Sequence, residues 1–543
     1  MSKTIKKEQL FPINIIKSEG MRNAESLLRT RATQVIMIED EVACLNCGGY
    51  VILDFGKEIY GAVRILFKSV AEEATVHVRL GESVAEACVA LGENGACNAH
   101  SVRDCRYPAS QWTDLRSCDT GFRFVRIDLE TGDFSEIKSV FAEAELCHYE
   151  RRGYFKSSDE TLNRIAETAA YTAELCIRND YVWDGIKRDR TVWIGDLHPE
   201  MLTLIQLFGN IKEIENSLDS VKYFFPHAWV NKIPAYSAWW IICLADYANY
   251  GGSEEFVKDK LSLVKEILVD FERIVGKDGE ISYSNNKLEL WDGNEYFFDW
   301  QTNNAEDSKI GWLALVSVAF GRAKMLLKKY GEDCSLATEL AERVSKTPAE
   351  KSDFKQVEAL SFLSGRRSAN QVKNALAKNG GEGMSGFLGY YILTAAAETG
   401  NEATVIKMIK EYYGGMIEKG ATTLWEDFDV EWLKDNPQSL SDIPQNGVKN
   451  IHRDYGKFCY KGLRHSLCHG WTSGVYAFLI RTILGVKPAG EGFDKVEIKP
   501  NLLGLEYAEG KIPTPHGDIF VSHRNQNGKV VSEIVLPEGI ERV

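Results

Sequence analysis

The period of the apolar residues changes twice along this chain, and that change limits the fold more than any other feature. Up to about residue 150 the apolar runs are short, β-branched or aromatic, and several alternate in polarity. Tyr50–Gly56, Gly61–Phe67, Ala74–Leu80 and Phe122–Leu129 are of this kind. They predict an antiparallel β-sandwich. From about residue 153 the spacing becomes helical. Leu162, Ile165, Ala169, Thr172 and Leu175/Cys176 share one face, and Ser157 with Glu160 reads as a capping-box start. Amphipathic helices are expected at Glu254–Val275, Lys309–Tyr330, Ser335–Lys346 and Ser368–Lys378. After Gly485 strands return, at Lys495–Lys499, Leu505–Glu509, Asp518–Arg524 and Val530–Leu536, with Asn527-Gly528 as a hairpin signal.

The expected architecture is therefore multidomain α and β. It has an N-terminal β-sandwich over 1–150, a helical domain over 151–484 and a small C-terminal β-sandwich over 485–543. Strands and helices do not alternate, so a parallel sheet is not expected. The helices suit a ring of pairs or a solenoid, and the lack of a fixed repeat weighs against the solenoid.

Composition narrows the partners. The 543 residues carry 64 Lys+Arg against 78 Asp+Glu, a net charge of -14, which argues against nucleic acid as a partner. The densest apolar run, Trp239–Ala245, is too short to span a membrane, so none is expected. The start, Met1 to Leu10, shows no apolar secretory core, and the 12 cysteines are scattered. Both features suggest the cytoplasm. Cys44-Leu-Asn-Cys47 lacks a companion pair, and His465 and His469 lack a Glu-Xaa-Xaa-His pattern. No metal and no cofactor is expected.

Three segments concentrate chemistry. Trp183–Asp196 packs three carboxylates, three cations and two tryptophans around two glycines. Carboxylates supply general acid and base, tryptophan faces stack on sugar rings, and arginine holds oxygens. By composition alone it reads equally as a charged, self-paired loop. Gly420–Asp429 alternates acids with aromatics, and Glu426 there reads either as catalytic or as an exposed helix-start carboxylate. Arg464–Gly474 carries His465, Cys468 and His469, and a histidine beside a thiol is usually a satisfied core residue.

In this order the segments resemble the bacterial α-L-rhamnosidases of glycoside hydrolase family 78. Asp184–Asp196 matches that family's Asp-Cys-Pro-Gln-Arg-Glu-Arg-Leu-Gly-Trp-Thr-Gly-Asp signature, and Gly420–Glu426 its Gly-Ala-Thr-Thr-Xaa-Trp-Glu signature. Ser466–His469 matches a downstream Ser-Xaa-Xaa-His segment, and supporting similarity runs from Leu53 to Gly517. The resemblance implies a central (α/α)6 barrel and exo-acting, inverting hydrolysis of terminal α-L-rhamnosides from oligosaccharides or plant glycosides. It implies Asp189 as general acid and Glu426 as general base. Asp184, Arg188, Trp193, Asp196 and His469 fall on sugar-binding positions. Trp240 and Trp300 match pocket tryptophans, with Trp239 and Trp291 as competitors.

Inversion needs two carboxyls roughly 6.5–9.5 Å apart, which residues this distant in sequence can supply from opposite walls. The sequence departs from the family where it matters, with Asp189 in place of Glu. Gly185-Ile186-Lys187 also replaces Cys-Pro-Gln, and Thr191-Val192 replaces Leu-Gly. The departures keep open another deoxysugar, a uronic acid, or a catalytically silent sugar-binding relative. The partners expected are a small carbohydrate or glycoside, with self-association into a homo-oligomer compatible with the sequence.

Overall fold

A computed structural model describes residues 6–31, 41–71, 73–221, 229–284, 288, 290 and 295–543. The chain forms two compact units. The first comprises Met1–His148, Gly185–Arg190 and Gly415–His469; the second comprises Tyr149–Asp184, Thr191–Gly414 and Gly470–Val543.

In the first unit, β1 (Lys6–Leu10), β2 (Asn14–Arg22), β3 (Ala43–Val70), β4 (Ala74–Gly81), β5 (Asp104–Ala109), β6 (Asp114–Arg116), β7 (Thr120–Leu129) and β8 (Phe134–Leu146) form an antiparallel sheet. The two strands expected at 50–56 and 61–67 are one, β3. Its register on β7 breaks between Asp54 and Ile59, so Gly56 and its neighbours make a bulge rather than a turn. The bulge lets β8 pair with both ends of β3. Alternate residues such as Val51, Leu53, Val63 and Ile65 enter an apolar core with Val125 and Ile127. A short helix, α1 (Val84–Cys88), follows β4, with Ser83 accepting from the Glu86 N–H as its cap.

The second unit is mainly helical. It holds α2 (Glu160–Cys176), α3 (Ile194–Phe208), α4 (Lys212–Asp219), α5 (Pro234–Asn249), α6 (Glu254–Ile274) and α7 (Ala305–Lys329). Next come α8 (Ser335–Ser345), α9 (Lys355–Leu363), α10 (Ala369–Ala377), α11 (Gly389–Glu398), α12 (Glu402–Glu418, whose last turn enters the first unit) and α13 (Gly474–Phe478). Ser253 caps α6 and a Ser368–Gln371 capping box starts α10. The expected box at Ser157 is not formed. Asp159 caps α2 through the N–H groups of Thr161 and Leu162, while Ser157 belongs to β9 (Tyr154–Ser157).

Contacts run from α3 to α5, then to α7, α9, α11 and α13, and α13 packs back on α3. The almost wholly buried faces of α3 and α5 fit such an interior position. Helix α7 is long and apolar enough to cross a membrane by length and composition alone, with 61% of its most apolar window buried. Here it packs against α5, α8 and α9.

Short strands β10 (Ile177–Arg178) and β11 (Tyr181–Val182) pair with each other, β12 (Val486–Pro488) pairs with β13 (Lys495–Ile498), and the later C-terminal strands also join this unit. β14 (Tyr507–Thr514) pairs with β9 on one side and β15 (Gly517–Gln526) on the other, and β16 (Lys529–Val535) pairs with β15. The β15–β16 hairpin turns at Asn527 and Gly528, both at positive φ. Among the described residues the 12 cysteines form no disulfide.

Gly485 leads the chain from the last helical turn into the C-terminal strands at φ +69, and a Cβ there would lie 2.0 Å from the Lys499 carbonyl oxygen. Gly485→Ala should therefore cost more than the roughly 1–2 kcal/mol of a left-handed alanine. Gly504, at φ +91 with open space around its Cβ position, is the control and should show that backbone penalty alone. Urea midpoints of the two variants measure the difference, and equal losses would show that the close approach to Lys499 is relaxed.

Candidate active site

The first unit builds its polar centre from three chain segments. Residues 185–190 form an irregular strap held by backbone bonds, with Gly121 N–H donating to Ile186 O at 3.0 Å and a bridge between Gly185 and His469. A Cβ on Gly185 would lie 2.8 Å from Cys468 O, so this approach requires glycine. Lys187 fixes the strap to the third segment, donating to Leu463 O at 2.7 Å and His465 O at 3.0 Å. Its ammonium also meets Glu86 at 2.9 Å and Glu82 at 3.2 Å. Glu82 in turn accepts from Leu467 N–H at 2.8 Å and the Ser466 hydroxyl at 3.0 Å.

Glu82, Glu86 and His452 have the donor set of a cation site. Lys187, with Arg103 on Glu86 at 3.1 Å, supplies the positive charge there. His452 is engaged by Ser83 at 2.8 Å and by His465 O at 3.2 Å.

Arg188 turns the strap toward chemistry. Its guanidinium donates to Glu426 through Nη2, to Asp189 through Nη1 at 3.3 Å and to Arg464 O through Nε at 3.1 Å. The Tyr460 ring covers it at 3.5 Å. Glu426 is 2% exposed and also accepts from Ser466 N–H at 2.8 Å. Burial alone would raise its pKa, but the charge of Arg188, then His469 and the hydrogen bonds, hold it down to about 2. His469 is pushed down to about 4 by burial, against the pull of Glu426, and is neutral near pH 7. Burial raises the neighbouring Asp427 to about 6, although it accepts from Lys457 N–H and Phe458 N–H.

Asp189 lies on a strained turn. It and Arg190 have φ 52 and 55, and Arg190 N–H closes onto Arg188 O at 2.6 Å. Two consecutive non-glycine residues in this region cost of order 1–3 kcal/mol each and concentrate at functional sites. The turn leaves the Asp189 side chain 18% exposed, with His100 Nε2 at 3.6 Å.

The second unit holds the other residues named from the sequence. Asp184 is buried, accepts from Thr191 N–H at 3.0 Å and clasps the two ends of the strap's flanks together. Asp196 is buried in the first turn of α3. Trp193 and Trp300 are partly exposed ends of an aromatic run that passes through Tyr236 and Phe297. Gly195 makes room for it, since a Cβ would meet the Tyr236 ring at 2.7 Å. Trp240 is fully buried and donates to Leu218 O at 2.9 Å, while its competitor Trp239 lines an internal cavity. Trp291 lies outside the described residues.

Thus Arg188, Asp189, Glu426 and His469 come together in one unit, and Asp184, Trp193, Asp196, Trp240 and Trp300 belong to the other. Sequence reasoning missed Glu82, Glu86, Tyr460, Asp427 and Glu200. Glu200 is buried one turn beyond Asp196, and burial, with the charges of Cys176, Asp196 and Asp184, raises its pKa far above the usual carboxyl range. The only local signal was Ser83 followed by Glu86, which marks a helix start but not where its carboxylates point.

Residues 485–542 match the family described as the bacterial alpha-L-rhamnosidase C-terminal domain. An alpha-L-rhamnosidase from Alteromonas sp. (strain LOR) is 35% identical over 146 residues, 25% of this chain and 13% of that protein. Among solved structures, the family GH78 rhamnosidase of Bacillus sp. GL1 superposes at TM-score 0.72 and 19% identity, covering 95% of this chain and 55% of that one. The rhamnosidase from Klebsiella oxytoca with rhamnose bound gives 0.66 and 17%, covering 88% and 96%. The Streptomyces avermitilis alpha-L-rhamnosidase complexed with L-rhamnose gives 0.69 and 18%, covering 91% and 48%. This chain spans about half the length of the Bacillus protein and much less of the Alteromonas one. The resemblance drawn from three sequence segments holds across the fold of nearly the whole chain.

The Glu426 pairing makes stability depend on acid. Its folded pKa of about 2 lies below the unfolded value near 4.5. The contribution is therefore complete above pH about 4.5 and lost as pH falls through 2, amounting to about 3 kcal/mol. Urea unfolding from pH 6 to pH 2.5 should show a shallower loss for Glu426→Gln than for wild type. Parallel curves would mean that Glu426 is not held ionised by Arg188.

Proposed function

We propose, from the premise that this chain is built as the bacterial α-L-rhamnosidases of glycoside hydrolase family 78 are built, that it is an exo-acting glycosidase cleaving terminal α-L-rhamnosides with inversion. The observation that carries this reading is Glu426, a buried carboxylate kept ionised by Arg188 beside a neutral histidine. A base must be unprotonated at working pH, and Glu426 is driven strongly that way. Glu426 takes a proton from water as the water attacks the anomeric carbon. Asp189, partly exposed on its turn, gives a proton to the departing glycosidic oxygen, and the aglycone leaves as an alcohol. Both carboxyls meet the same guanidinium, Asp189 at Nη1 and Glu426 at Nη2.

The closed sequence of contacts from α3 round to α13 and back supports reading the helical unit as an (α/α)6 barrel. Rhamnose in two of the superposed neighbours supports the sugar. Within the second unit, the partly exposed Trp193 and Trp300 are aromatic faces on which a sugar ring can stack. Twelve cysteines outside any disulfide support a reducing compartment, the cytoplasm.

On a panel of p-nitrophenyl glycosides the α-L-rhamnoside should turn over fastest, with the β-anomer of rhamnose appearing first by NMR. Glu426→Gln should lose at least about 10²–10⁴-fold in kcat while still binding rhamnose. A variant keeping more than a few per cent of turnover would remove Glu426 as base. Rhamnose binding without hydrolysis of any glycoside would identify a silent sugar-binding relative, and preference for another deoxysugar or a uronide would move the substrate class.

Asp189 stands where the family has Glu, so its carboxyl is one methylene shorter. Asp189→Asn should cripple alkyl and flavonoid rhamnosides by roughly 10²-fold or more yet spare an activated dinitrophenyl rhamnoside, whose leaving group needs no proton. Asp189→Glu should be tolerated. Equal losses on good and poor leaving groups would make Asp189 a binding residue and shift the search for an acid to another carboxyl.

A further inference from the structure

A cavity of about 200 Å³ lies inside the helical unit, lined from α3, α5, α7, α9, α11 and the turn after α13. One side is apolar, formed by Trp239, Leu315, Val318, Leu360 and Leu363. At the other, Asp246 accepts from His198 at 2.9 Å and meets Arg322 at 3.5 Å. Arg481 donates only to the Tyr250 hydroxyl, and among the described residues no carboxylate forms an ion pair with it. At the mouth Lys487 and Glu398 answer each other at 3.6 Å.

The charge of this polar end does not close. Burial keeps His198 neutral despite Asp246. Two guanidiniums therefore face one carboxylate, leaving one positive charge over against an apolar wall. Partly buried cations of this kind call for an anionic partner. The indole N–H of Trp239, which is 1% exposed, also has no acceptor. For comparison, a dry apolar cavity of roughly 150 Å³ holds a benzene ring. The space here is a ring plus one small charged group.

We propose that this cavity is a second ligand site, separate from the sugar chemistry, which takes a small aromatic carboxylate. The carboxylate seats on Arg481 and Arg322, and the ring lies against Trp239, Leu315 and Leu360. Inorganic phosphate would satisfy the arginines and leave the apolar wall empty.

Titration of the full chain with benzoate by calorimetry and saturation-transfer NMR tests this. One saturable site is expected, unaffected by excess L-rhamnose, with benzyl alcohol weaker by roughly tenfold or more for want of the charge. Arg481→Gln should weaken benzoate by a similar factor. Val318→Trp, at a partly buried position on the cavity wall, should abolish binding while leaving the thermal unfolding midpoint and rhamnose binding in place. Should Arg481→Gln fail to fold, Val318→Trp and the neutral alcohol decide the matter. No saturable benzoate binding up to about 10 mM, displacement by rhamnose, binding unchanged in Val318→Trp, or phosphate binding tighter than benzoate would each overturn the proposal.

Discussion

The buried pair of Arg188 and Glu426 is the interaction on which the rest of the first unit's polar centre depends. Two ions taken out of water are costly, and breaking one partner from such a pair typically costs 3–5 kcal/mol because the other stays buried alone. The arrangement is stable here because further partners surround both ions. Arg188 has the Arg464 carbonyl and the Tyr460 face as well as Glu426, and Glu426 has the Ser466 N–H. Every one of those partners comes from the third segment of the unit, so the pair also decides how residues 185–190 and 424–466 are registered. Lys187 repeats the principle one residue earlier, with Glu82 and Glu86 as its counter-charges and carbonyls of 463 and 465 as acceptors.

This stitching explains why irregular backbone can be so well placed. The apolar cluster within the first unit's sheet includes nothing from 185–190, where Ile186 alone is a buried apolar residue. The strap is instead positioned by directional bonds to fixed donors and acceptors, which specify angle as well as distance. The same division holds in the second unit. There a regular helix, α3, carries Asp196 and Glu200, and glycines at 195 and 470 let a ring and a carboxyl approach where any side chain would collide. Rigid elements hold the unit; bonds and glycines aim the groups.

What the sequence disclosed follows from what is local. The 3.6-residue period marked α6 and α10 almost to the residue, because that signal is spent within one helix. The start of α2 was displaced from Ser157 to Asp159 by a partner far away, since β9 is drawn into a ladder with β14. Likewise the bulge at Gly56 looked like a turn because nothing nearby reveals that β7 continues on both sides. In the site, Arg188, Asp189, Glu426 and His469 were legible only through resemblance, since by composition the same segments read as a charged loop and a core histidine. Glu82 and Glu86 were not legible at all. Their role is to answer Lys187 and the 466–467 backbone, more than a hundred residues from the strap and more than three hundred from the third segment.

One cation serving two carboxyls of opposite proposed task appears contradictory until burial is considered. Coulomb attraction scales inversely with the local dielectric, so Arg188 acts most strongly on the partner that water does not reach. Glu426 is that partner, and it keeps its proton off. Asp189 meets the same guanidinium at 3.3 Å but is 18% exposed, and water screens the interaction there. Two carboxyls in unlike surroundings therefore share one cation. The contrast lies in the backbone, which buries Glu426 and leaves Asp189 at the edge on the turn made by the consecutive left-handed residues 189 and 190.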